Sequence, residues 1–105
     1  MSIDVNLKND IDTDFWDVYV IGELDVSTAD QFKEYLYKLI DKEIRSIRFD
    51  LSNLDYIDST GLGVMIGVLK RIKVQNKEIY IESPKDNVKK IFSITGLDKI
   101  FKMEG

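Results

Sequence analysis

The sequence predicts a small single-domain α/β fold, a mixed sheet of four to five strands with helices packed mainly on one face. Three observations predict it. The chain is 105 residues long, one domain's worth, so residues 1–105 form a single unit. Segments of period two alternate with helical stretches, which implies right-handed crossovers and parallel neighbouring strands. The third strand also alternates cleanly, so one sheet face is better covered than the other.

Ile3-Asp4-Val5-Asn6-Leu7-Lys8 alternates apolar and polar and reads as a half-buried strand. The polar run Asn9 to Asp14 is a turn. Phe15 to Ile21, aromatic and β-branched, is a second strand antiparallel to the first, ended by Gly22. Glu23 to Val26 is a short loop. Ser27, with Asp30 three residues on, is a capping-box-like start for a helix running to about Lys42. Its stripe is Phe32, Leu36, Leu39 and Ile40. Ile47, Phe49 and Leu51 form the third strand, and Ser52 to Ser59 is a polar connection. A helix follows from about Thr60 to Val74, its core face Leu62, Met65, Ile66, Leu69 and Ile72, with Val64 and Val68 to one side. Lys70, Arg71 and Lys73 suit the negative end of its dipole. Ile79-Tyr80-Ile81 is a short strand. Ser83-Pro84 opens another helix, Val88, Ile91 and Phe92 give it an apolar face, and Gly96 is its left-handed stop.

Composition narrows the chemistry. Hydrophobic residues at 44% and charged residues at 32% fit a globular domain with a real core. Fifteen Lys+Arg against nineteen Asp+Glu leave a formal charge of −4, which disfavours nucleic acid as the main partner. There is no cysteine and no histidine, hence no thiol nucleophile, no Ser-His-Asp triad and no Cys or His metal ligand. An acidic N-terminus and the absence of any apolar run near 20 residues lead us to expect a cytoplasmic protein with no signal peptide and no membrane span.

The chemistry-bearing residues gather in loops at the carboxyl ends of strands, where open α/β sheets place their sites. The first such loop is Gly22 to Ser27. The second reads Asp55-Tyr56-Ile57-Asp58-Ser59-Thr60-Gly61-Leu62-Gly63 and is the most unusual stretch of the chain. Acid, hydroxyls and glycines meet at a helix start, whose free N–H groups could receive an anion placed on Ser59. Asp58 or Ser59 also serves as an ordinary N-cap. Gly61, Gly63 and Gly67 each cost a helix ~1 kcal/mol relative to Ala, so they fit tight packing against the sheet or a bare partner surface. The spacing G-x-G-x-x-x-G does not match a dinucleotide fingerprint and lacks the Walker G-K-[ST]. Asp50, Asp55 and Asp58 lack calcium-loop spacing and read as solvated acids, and Trp16 and Tyr19 as packing residues.

Asp58-Ser59-Thr60-Gly61-Leu62-Gly63, with Gly22-Glu23-Leu24-Asp25 and Phe92-Ser93-Ile94-Thr95-Gly96-Leu97, resembles the bacterial anti-sigma-factor antagonists built on the STAS domain. The Thr after the Ser, and the Ile-Thr-Gly-Leu ending, resemble the general-stress (RsbV-type) branch more than the sporulation branch. The resemblance implies no catalysis and no cofactor. It implies that Ser59 is phosphorylated by an anti-sigma factor with serine-kinase activity and restored by a PP2C-type phosphatase. The unphosphorylated form would bind the anti-sigma factor and free the sigma factor. Partner contacts are expected at Asp25, Asp58, Ser59, Thr60, Gly61, Leu62 and Gly63, with Asp25 free to meet a basic group because Ser27 caps its own helix. The free protein is expected to be a monomer that contacts neither nucleic acid nor membrane. The alternatives are a non-switching STAS scaffold or stressosome-type subunit and, from another class, a small carboxylate-assisted hydrolase.

Overall fold

The structure is a computed structural model that describes residues 2–9 and 14–104. Strands β1 (Ile3–Asn9) and β2 (Phe15–Leu24) lead into helix α1 (Ala29–Lys42). Then come β3 (Ser46–Asp50), β4 (Leu54–Ile57), α2 (Ser59–Lys73), β5 (Ile79–Glu82), α3 (Asp86–Ile94), a 3-10 turn at Leu97–Lys99, and β6 (Lys102–Glu104). The expected turn at residues 10–13 lies outside the described residues. The sheet runs β1-β2-β3-β5-β6, with β4 also paired to β2. The β1–β2 pair is antiparallel and the other pairs are parallel.

The described sheet thus has six strands rather than four or five. The segment from Ser52 to Ser59 is not merely a connection, because it contains β4. Leu54 and Ile57 are buried while Asp55 and Tyr56 are exposed. That pattern is not period two, so no local signal marks it. Its partner is the overhang of β2, which does not stop at Gly22 but runs on to Leu24. Gly22 sits inside the strand at φ 107, where a Cβ would meet the Ser2 carbonyl oxygen at 2.5 Å. Only glycine fits that close approach. Helix α1 begins at Ala29, not Ser27, and α3 at Asp86, two residues after Pro84.

One sheet face carries Val18, Val20, Ile47, Phe49, Ile79 and Ile81, all fully buried. The α1 stripe Phe32, Leu36, Leu39 and Ile40 lies in the same core, with the Phe32 and Phe49 rings 5.7 Å apart. Truncating such a buried aromatic costs about 3–5 kcal/mol. The other face is polar and aromatic. Arg48 grips Asp17 with two hydrogen bonds, at 2.5 and 2.9 Å, and lies over the Phe15 ring. Lys8 bonds Asp50 at 3.3 Å and lies over Tyr19. Trp16 is a core residue whose indole N–H donates to the Glu43 carbonyl at 2.9 Å.

Helix α2 buries Gly61, Leu62, Met65, Val68, Leu69 and Ile72. Val68 is therefore a core residue, and Ile66 is only partly covered. The helix is rotated from its expected setting because Gly61 lets it press onto β2: a Cβ there would lie 2.5 Å from Leu24 Cγ. Among the three glycines, Gly61 supplies the tight packing. Gly63 faces open space, and Gly67 faces the Tyr37 hydroxyl on α1.

Candidate functional site

Parallel pairing of β2 with β4 brings the two expected loops to one end of the sheet. Glu23 pairs with Tyr56 and Leu24 with Ile57. The chain then turns at Asp58, whose own N–H donates to the Leu24 carbonyl at 3.1 Å. Asp58 is the N-cap of α2. Its Oδ1 accepts from the N–H groups of Thr60 and Gly61 at 2.9 and 3.2 Å, and its carbonyl accepts from Leu62. Two of the donors expected to receive an anion on Ser59, the N–H groups of Thr60 and Gly61, are thus already taken by Asp58. Ser59 and Thr60 stand exposed on the first turn. A charge added to Ser59 points outward, beside a carboxylate.

The first loop is organised differently from the expectation. Asp25 is only 7% exposed. Its Oδ1 accepts from the Ser27 N–H at 2.9 Å and from the Ser27 hydroxyl at 2.6 Å. Its backbone N–H donates to Thr28 Oγ1, which in turn donates to the Glu23 carbonyl. The Ser27 hydroxyl bond, then burial, then the Ser27 and Thr28 N–H groups set its acidity, and the sum lowers its pKa from the ordinary 3.8. Ser27 therefore does not cap its own helix. Asp25 holds the turn that starts α1, with its Oδ1 engaged within the chain.

The seven expected partner residues accordingly divide. Ser59, Thr60 and Gly63 lie on the surface and Asp58 is half-buried. Asp25, Gly61 and Leu62 are buried and shape that surface from beneath. Two exposed apolar residues were not anticipated: Val26, 77% exposed, and Tyr56, 45% exposed. They stand at the ends of β2 and β4, flanking the Asp58–Leu24 tie. The signal was present, since Val26 is an apolar residue in a tight loop with no periodic partner. Alongside, a cavity of about 280 Å³ runs between α1 and α2. Lys33 and Tyr37 line one side and Thr60, Gly63, Val64 and Gly67 the other. The surface combines exposed hydroxyls, apolar contacts and a glycine-bared groove, the makeup of a docking face.

Residues 6–105 match the model of the STAS domain. The chain belongs to the STAS domain family. Among its relatives is the anti-sigma-B factor antagonist of Staphylococcus aureus (strain NCTC 8325), 38% identical over 95 residues, covering 90% of this chain and 88% of the relative. The protein of the same description from Listeria monocytogenes is 38% identical over 104 residues, covering 99% and 90%. The crystal structure of an anti-sigma factor antagonist from Mycobacterium paratuberculosis superimposes with a TM-score of 0.85 at 20% identity, over 98% of this chain and 86% of that one. In this STAS domain the hydroxyl-bearing turn opens α2 at the carboxyl end of the parallel strands. None of the helices among the described residues is long and apolar enough to cross a membrane.

Proposed function

We propose that this STAS domain is an anti-sigma factor antagonist of the general-stress type, acting by binding rather than by catalysis. Unphosphorylated, it binds an anti-sigma factor and thereby frees the sigma factor. The anti-sigma factor is a serine kinase that phosphorylates Ser59, and a PP2C-type phosphatase restores the binding form. The observation that carries this reading is the 38% identity, over nearly the whole chain, to proteins named anti-sigma-B factor antagonists. The exposure of Ser59 on a helix start where Asp58 holds the Thr60 and Gly61 N–H groups supports the switch.

The physics of the switch is local. A phosphate adds about −1.5 to −2 charges and three acceptor oxygens. Asp58 has taken the N–H groups of Thr60 and Gly61, so the phosphate finds little compensation from them. Burying it against a partner without matched cations costs several kcal/mol, and each 1.4 kcal/mol is tenfold in affinity. The deciding experiment incubates the chain with the anti-sigma factor of its host, with and without ATP. The reading requires a stable complex without ATP, and one phosphate with loss of the complex when ATP is present. A chain that neither binds nor is modified would return the STAS scaffold reading.

A further inference from the structure

At the far end of α2 from Ser59, about 20 Å along the helix, lies a second cavity of about 330 Å³. Its floor is aliphatic: Leu69 is buried, Ile66 is partly covered, and Ile100 is 43% exposed. Its rim carries four ammonium groups, Lys70 and Lys73 from α2 and Lys99 and Lys102 from the chain that turns into β6. Glu78 is the one carboxylate that lines it. Lys73 holds Glu78 Oε2 at 2.6 Å, so that pair is neutral. Lys70, Lys99 and Lys102 pair with no carboxylate among the described residues. A chain of net charge −4 thus concentrates three uncompensated cations around an apolar floor. Glu78 Oε1, at the same wall, is buried without a hydrogen-bond partner.

We infer that this cavity is a docking site for an acidic segment of a protein partner, one that places an aliphatic or aromatic side chain between carboxylates. The three cations call for an anion, and the isoleucines and Leu69 call for an apolar group beside it. The rim holds lysines and no arginine, so it attracts charge without the forked geometry that selects phosphate. Three separate ammonium groups around an aliphatic floor match several carboxylates flanking an apolar side chain, as in an acidic peptide, whereas a fatty-acid anion brings a single carboxylate.

The test titrates the full-length protein, labelled at isoleucine methyl groups, with the blocked peptide Asp-Glu-Leu-Phe-Glu-Asp. The expected result is saturable shifts at Ile66 and Ile100, weakening as salt rises. The triple variant Lys70→Glu, Lys99→Glu, Lys102→Glu should reduce affinity at least about tenfold, and its exposed sites leave folding intact. The peptide Asp-Glu-Ser-Ser-Glu-Asp should bind several-fold more weakly. Shifts spread over other lysine-bearing surfaces, or equal binding of the serine peptide, would overturn the inference. Dodecanoate displacing the acidic peptide at lower concentration would also overturn it, by assigning the cavity to an acyl anion.

Discussion

The backbone N–H of Asp58 donates to the carbonyl oxygen of Leu24 at 3.1 Å, joining the end of the second strand to the residue that caps α2. Through this one bond the position of Ser59 is set by the sheet. The serine follows the turn that this bond holds, with its neighbour's carboxylate occupying the N–H groups of Thr60 and Gly61. Four expectations follow from that arrangement and its surroundings.

Phosphorylation should be confined to Ser59. Thr60 is exposed beside it but carries a branched side chain one step further into the helix. Intact-mass and fragment analysis after incubation with the kinase and ATP should give one phosphate on Ser59, and none in Ser59→Ala. Phosphate mainly on Thr60 or Ser52 would move the switch to a different residue.

A charge at position 59 should act on the partner and leave the fold alone. Ser59→Asp should keep the far-UV circular dichroism and the melting temperature of the parent while losing affinity for the anti-sigma factor at least about tenfold. The aspartate carries one charge, so the phosphate itself should do more. Amide shifts far from the loop on phosphorylation would point to a conformational switch instead.

The glycines of α2 should separate stability from binding. Gly61→Ala drives a methyl into Leu24 and should destabilise by about 1–3 kcal/mol. Gly63→Ala meets nothing within 4 Å, and alanine favours the helix by about 1 kcal/mol. That variant should melt higher yet bind the anti-sigma factor more weakly, because its methyl stands in the docking groove. Urea melts together with titration calorimetry distinguish the two. Unchanged affinity in Gly63→Ala would place the partner elsewhere.

Asp25 should behave as a structural carboxylate with a pH signature. The Ser27 hydroxyl, with the N–H groups of Ser27 and Thr28, depresses its folded pKa below the ordinary 3.8. Stability from a depressed acid is present above the unfolded value and is lost as pH falls through the folded one. Asp25→Asn should therefore unfold at lower urea than the parent at neutral pH, with the gap closing below about pH 4. A gap independent of pH would mean the charge does not matter, and no gap at all would return Asp25 to the surface as a partner contact.

Much of this was legible in the chain. Period-two and helical segments marked β1, β2, β3 and β5 and all three helices, because those patterns report burial directly. The pairing of the two loops followed from parallel topology. What stayed hidden depended on contacts distant in sequence. Leu54 to Ile57 becomes a strand only because β2 overhangs β3, and no local pattern announces an overhang. The setting of α2, which buries Val68 and half-exposes Ile66, depends on Gly61 against Leu24, 37 positions away. The capping role expected of Ser27 fails for a local reason: its hydroxyl donates to Asp25 rather than accepting from the helix.

The long second strand also divides the molecule's resistance to opening. Its first half is zipped to β3 through five registered positions, from Phe15 with Ser46 to Tyr19 with Asp50. Its last part meets β4 through only three, with a break in register after Gly22. Amide protons of the β4 ladder should therefore exchange with solvent sooner than those of β3, since a shorter ladder opens without unzipping the core. The end of the sheet that bears Ser59 is the end that can loosen on its own. Under the proposed switch, a kinase drawing Ser59 into its active site would meet a segment whose local release leaves the rest of the domain folded.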